Sequence, residues 1–275
     1  MEGRRLGENI HGVFVSYEDY GKGGMEDCTR MEDCMIAGFS GDGIHYQCFW
    51  CISIRHCMLS ANAGYGLYLD GWDGFILDNW FSGNGQGGIG CKKTCSSVTF
   101  TGNRIECNGG PGITLHMSKC CNLTGNYFDC SGGPSISIRG GAGEAVADTI
   151  TVTGNIFTGS GSVDFRSTEV DPMDNTHIRM ERCVNAVVMG NAFRARVELF
   201  KENKGELRPT YAFVIRQLRG CIIRDNVMQS GMRTSPLLDL GEHEDTIIYT
   251  ENIGRPTREL TPWFPVFEND SKEKE

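Results

Sequence analysis

Lys92, His116 and Arg139 stand 24 and 23 residues apart, and the stretches around the latter two alternate apolar with polar residues, as in Gly112-Ile-Thr-Leu-His-Met117 and Ser135-Ile-Ser-Ile-Arg139. Brought side by side, an ammonium, an imidazole and a guanidinium make a cationic row suited to an acidic sugar chain. Two flanking cations disfavour a protonated imidazole, and neutral imidazole is the form in which a general base takes a proton. Ser162-Val-Asp-Phe-Arg-Ser167 continues the alternation downstream and Gly66-Leu-Tyr-Leu-Asp70 upstream. The candidate catalytic set is therefore Lys92, His116, Arg139 and Asp164. Tyr68, Asp70, Trp72 and Arg166 are candidate substrate-binding residues, the aromatic rings offering flat faces to sugars. The plain alternative is a solvated sheet face of mixed charge.

The segment Thr168–Met180 is the densest polar cluster, with Glu169, Asp171, Asp174 and His177. Asp171, Asp174 and His177 join the candidate binding residues, and Glu169, Asp171 and Asp174 offer hard oxygen ligands that could hold Ca2+. No other metal is expected: Cys48-Phe-Trp-Cys51 has no second pair at zinc-finger spacing. The glycines of Gly83-Asn-Gly-Gln-Gly-Gly-Ile-Gly90 precede no Gly-Lys-Ser/Thr and read as turns, not a phosphate loop.

The elements that must position these groups are short strands. A Thr-Gly-Asn step recurs at Thr101-Gly-Asn103, Thr124-Gly-Asn126 and Thr153-Gly-Asn155, with Met189-Gly-Asn191 and looser copies ending at Asn79, Asn226 and Asn252; Asp33 and His56 are read into the same position upstream. The intervals are 23, 23, 24, 23, 29, 36, 35 and 26 residues, so regular coils come first and insertion-bearing ones later. Runs of four to six β-branched residues exclude a helical solenoid. The pattern predicts an all-β chain, a single-stranded right-handed parallel β-helix of about nine coils stacked ~4.8 Å apart, with inward asparagines forming a hydrogen-bonded ladder. On that spacing Asp70 and Asp164 are four coils, or ~19 Å, apart, beyond the ~5 to 9.5 Å of a glycosidase carboxyl pair.

The Gly-Asn ladder, with its Asn108-Gly-Gly-Pro-Gly-Ile113 turn-and-strand unit, resembles the right-handed parallel β-helix repeat proteins of the pectin-lyase-like superfamily over about residues 28–254. The resemblance implies the fold and a polysaccharide or oligosaccharide partner, and the family is often secreted. It does not choose among lyases, hydrolases, epimerases, fructotransferases and phage tailspikes. Asp171-Pro-Met-Asp174 looks like the Asp-Pro-His-Asp motif of mannuronate epimerases, but Met173 replaces the histidine and the expected preceding tyrosine is missing, which removes the proton-transfer groups.

Residues 1–27 read as an incomplete first coil or cap and 255–275 as a C-terminal cap with a polar tail, Trp263, Phe264 and Phe267 covering the last coil. The net charge of −9 lacks the basic surface that nucleic acid needs, and no apolar run is long enough to span a membrane. The N-terminus carries no signal-peptide core, so the compartment is open and the 13 cysteines read as reduced thiols, with Cys28, Cys51 and Cys121 stacked inside. A homo-oligomer is compatible with the pattern. Taken together the residues point to a carbohydrate-active β-helix that cleaves a polysaccharide laid along its outer strand face, as lyase or hydrolase. A glycan-binding or tailspike-like structural module without catalysis is the alternative.

Overall fold

The computed structural model describes residues 3, 7–16, 29–161, 172–194, 196–197, 206–207, 209–228, 231–244 and 247–254. Among them the chain is all-β apart from a single 3-10 turn at Pro172–Asp174, and the stacked strands pair in parallel. The coil has three faces. A front face runs from Val13–Ser16 through the first halves of Ile44–Arg55 and Tyr65–Leu77, then Gly87–Cys91, Ile113–His116, Ile136–Arg139, Thr176–Val184, Tyr211–Arg219 and Ser235–Asp239. A second face, continuous with it around a bend, takes the later halves of the long strands, then Cys95–Thr101, Lys119–Thr124, Ala147–Thr153, Val187–Met189, Cys221–Arg224 and Ile247–Thr250. The third is a seven-stranded sheet from Met35–Ala37 to Ala192–Phe193.

The core follows from period-two alternation. On the front face Ile44, Leu67, Ile89, Ile113, Ile136, Ile178 and Phe213 fall in one register column, and all are fully buried. On the third face the buried rings of Phe128, Phe157 and Phe193 stack at 5.0 and 4.6 Å, almost parallel.

The asparagine ladder is continuous from Asn79 through Asn103, Asn126, Asn155, Asn191 and Asn226 to Asn252, each Nδ2 donating to the next Oδ1 at 2.8–3.1 Å. Each Oδ1 also accepts the preceding coil's asparagine amide, so the bend saturates its own polar groups. Upstream the expected register is one residue off. The Cys57 amide donates to Asn79 Oδ1, and the Met58 amide to the Cys34 carbonyl. Cys34 and Cys57, not Asp33 and His56, thus hold the ladder position. Asp33 and His56 occupy the preceding left-handed position, φ 56° and 50°, which Gly102, Gly125, Gly154 and Gly190 fill with φ 65–68° in the regular coils.

A second ladder, not anticipated, links Asn62, Asn84 and Asn108 at the next bend, with Nδ2 to Oδ1 distances of 2.9 and 3.0 Å. No disulfide joins the described cysteines; Cys121 is buried, whereas Cys51 is only half-buried and sits at a left-handed bend, φ 59°, and Cys28 lies outside the described residues. The 255–275 segment also lies outside them, as do residues 17–27.

Candidate functional site

The register turns the outward side chains of the front face into two rows. One reads Phe14, His45, Tyr68, Gly90, Thr114, Ser137, Arg179, Val214, of which Ser137, Arg179 and Val214 are buried. The other reads Ser16, Gln47, Asp70, then His116, Arg139, Glu181 and Arg216. Lys92 completes it, following Cys91, which pairs with Leu115. Trp72 stands two residues past Asp70, paired between Trp50 and Ser96 where the front face turns into the second, and is exposed.

At the N-terminal end the turn before Ile44–Arg55 places Asp42 beneath His45. His45 Nδ1 lies 2.6 Å from Asp42 Oδ2, while Asp42 Oδ1 accepts the Tyr65 amide at 2.6 Å. A carboxylate accepts only, so Nδ1 carries the proton and His45 Nε2 is left as the acceptor. The Gln47 side-chain amide sits 3.0 Å from that nitrogen, and Ser16 Oγ donates to Gln47 Oε1 at 3.3 Å. The His45 ring is stacked between Phe14, at 5.4 Å, and Tyr68, at 4.4 Å with only 7° between planes, so its edge faces outward. His11 packs beside it with ring centroids 4.5 Å apart; its Nδ1 accepts the Asp42 amide at 2.9 Å, and burial holds its pKa below the usual histidine range. Donor atoms of His11, Asp42 and His45 lie within 4.8 Å of one another, and both Nδ1 atoms are engaged by the Asp42 amide and carboxylate.

On the next coil, burial first and then the neighbouring Asp70 charge push the Tyr68 phenol up, which keeps it protonated. Asp70 is itself ion-paired with Lys93 at 3.6 Å, and Lys92 Nζ lies 5.0 Å over the Tyr65 ring.

The middle of the row is more engaged than a free cationic strip. His116 Nδ1 lies 3.0 Å from the Lys92 carbonyl oxygen and Nε2 3.1 Å from that of Gly140, so both ring nitrogens face acceptors. Arg139 Nε is 3.5 Å from Glu181 on the following coil. The buried guanidinium of Arg179 donates to Asp174 at 2.6 Å and to Glu181 at 2.7 Å, holding two carboxylates side by side. Burial of Arg179 works against its charge, but Glu181 and Asp174 outweigh it and leave its pKa raised. One carboxylate oxygen of Asp174 is thus engaged by a guanidinium. Beyond Arg216 a cleft of about 470 Å3 is lined by Arg182, Gln217, Arg219, Glu242 and Glu144 among others.

Two expectations are corrected here. The strand after Ile136–Arg139 is Thr176–Val184, so Arg179 and Glu181, not Asp164 and Arg166, stand next to Ser137 and Arg139. The extra residues of that long coil precede the strand rather than follow it. Asp164, Arg166, Glu169 and Asp171 lie outside the described residues. His177 belongs to the strand and points inward. It is fully buried, with Nε2 2.8 Å from the Gly231 carbonyl oxygen and its ring near Phe157 and Phe193, so it cannot reach a ligand on the face. Sequence reading missed Asp42, Arg179 and Glu181; for Asp42 the signal was there, an aspartate three residues before a histidine in Asp42-Gly-Ile-His45.

A family model described as a right handed beta helix region matches residues 8–163. Among solved structures, an alginate lyase from Paenibacillus sp. str. FPU-7 is similar at 15% identity and a TM-score of 0.52, over 81% of this chain and 96% of that one. DFA-IIIase from Arthrobacter chlorophenolicus A6, without its lid and in complex with GF2, is similar at 14% identity and a TM-score of 0.53, over 91% of this chain and 66% of that one. Full-length tailspike protein 2 from Escherichia coli O157:H7 bacteriophage CAB120 matches at 9% identity and a TM-score of 0.51, over 91% of this chain but 39% of that one. At these identities the likeness is one of fold. No curated protein matches significantly.

Proposed function

Because the chain belongs to the right-handed β-helix family, with its pectin-lyase-like neighbours, we propose that it cleaves a polysaccharide lying along the front face, as lyase or hydrolase. The observation that carries this reading is the register of the two outward rows. Side chains on successive coils repeat at ~4.8 Å, close to the length of one pyranose ring, so each sugar can meet one or two coils. In this reading about nine coils over residues 28–254 form the column, Tyr68, Asp70 and Trp72 hold sugar rings, and Lys92, His116 and Arg139 line the adjoining coils. The alginate lyase with this fold lends the reading its substrate class.

A non-catalytic glycan-binding or tailspike-like module is the second reading. It is favoured by the carbonyls that face both His116 nitrogens and by the Arg139–Glu181 and Lys93–Asp70 pairs, which leave the middle of the row charge-balanced. Incubation of the purified chain with a panel of acidic and neutral polysaccharides decides between them. The proposal expects new reducing ends from at least one polymer, with or without absorbance from unsaturated sugars. Retention of glycans on an array with no turnover of any polymer would select the binding module.

A further inference from the structure

We infer that Asp42, His45 and Tyr68 form the proton-transfer centre of the front face, acting on a polymer of uronic acids by β-elimination, an inference that rests on the cleavage reading above. Three features carry it. Asp42 is buried and fixed by the Tyr65 amide, and it holds His45 in the tautomer whose Nε2 accepts a proton. The Tyr68 ring lies parallel to His45 at 4.4 Å on the next coil, which sets a phenolic proton donor beside that base. Lys92, over Tyr65, whose ring is 6.3 Å from Tyr68, supplies a cation for the uronate carboxylate.

In the step this arrangement supports, His45 Nε2 takes the C5 proton and the C5–H electron pair becomes the C4–C5 double bond. The C4–O4 bond breaks with its pair on O4, and the Tyr68 phenol protonates O4. Water then carries the proton from the imidazolium back to the phenolate. The Gln47 amide that caps Nε2 in the free chain gives way to the sugar. Asp42 is a positioning residue, and His45 and Tyr68 are the catalytic ones. His11 does not share the base role, because its Nδ1 is held by the Asp42 amide.

The test measures unsaturated product from alginate and polygalacturonate with the full chain and its His45→Ala, His45→Gln, Tyr68→Phe and Asp42→Asn variants, alongside melting curves. Loss of the base is expected to lower kcat by about 100-fold or more. Added imidazole should recover about tenfold of the loss in His45→Ala, a rescue that a structural role does not give. Asp42→Asn should lower kcat with KM little changed, its side-chain oxygen still able to accept the Tyr65 amide. If the native chain eliminates either polymer and His45→Ala stays within about threefold of it, the inference falls and the cleavage reading stands. The same holds if the chain only hydrolyses neutral polymers, or if EDTA abolishes elimination and zinc restores it. Failure to turn over any polymer overturns both.

Discussion

His177 lies inside the coil with Nε2 donating to the Gly231 carbonyl and no described partner for Nδ1, and burial lowers its pKa to about 4. Its folded pKa is below the unfolded value near 6.5, so the unfolded chain binds the proton first. The stability this buried neutral ring provides is present above about pH 6.5 and lost as pH falls toward 4. Between pH 7 and pH 5 the native chain should lose about 2 kcal/mol of unfolding free energy through this group. His177→Phe, set among Phe157 and Phe193, should lose that much less over the same interval in urea unfolding; equal losses would mean His177 is not buried neutral. At this scale the outward residues of Gly66–Asp70 and Gly112–Met117 were legible, because alternation alone decides which side chains face out. The roles of His116 and His45 were not, since carbonyls of neighbouring coils face the one, and the other depends on a turn that folds Asp42 under its ring and on rings from the coils on either side.

Each interior ladder asparagine serves two coils, and the fold depends on that continuity more than on any single strand. Asn126 donates to the Phe100 carbonyl and Asn155 Oδ1 and accepts from the Asn103 amide and Asn103 Nδ2. Removing it leaves buried groups unpaired on both sides, so Asn126→Ala should cost about 2 to 4 kcal/mol. Asn252, which ends the described ladder, accepts from Asn226 and donates to the Ile223 carbonyl, and Asn252→Ala should cost clearly less. Thermal unfolding of the two variants compares them directly; equal losses would show that the ladder is not a cooperative element. The Thr-Gly-Asn coils were readable because glycine marks the left-handed position and asparagine the bend. The reading slipped by one at Asp33 and His56 where both marks are replaced, the left-handed position by an acid or a histidine and the bend by Cys34 or Cys57. The Asn62–Asn84–Asn108 ladder escaped notice because its neighbours Ala61, Gly83 and Cys107 share no residue type, only a positive φ. In the 36-residue coil periodicity alone did not say that Thr176–Val184 is the segment beside Ile136–Arg139.

Across the whole molecule an acidic chain of net charge −9 carries two of its six histidines, His11 and His45, the Tyr65 and Tyr68 rings and Lys92 and Lys93 on one end of one face. The third face carries a different surface, where the Arg104 guanidinium is held over Trp80 and Tyr127 at 5.5 and 4.5 Å and Met35, Ile156 and Val227 are exposed in the same column. Both surfaces have aromatic groups that could meet sugar rings, so the face that the glycan occupies distinguishes them. The most direct measurement is a crystal structure of the His45→Gln variant with an oligosaccharide of the polymer that the native chain turns over. Consecutive sugar rings should lie along Tyr68, Asp70, Lys92 and His116, with the scissile linkage beside residue 45. Sugar density over Trp80, Arg104 and Tyr127, with the front face empty, would contradict it.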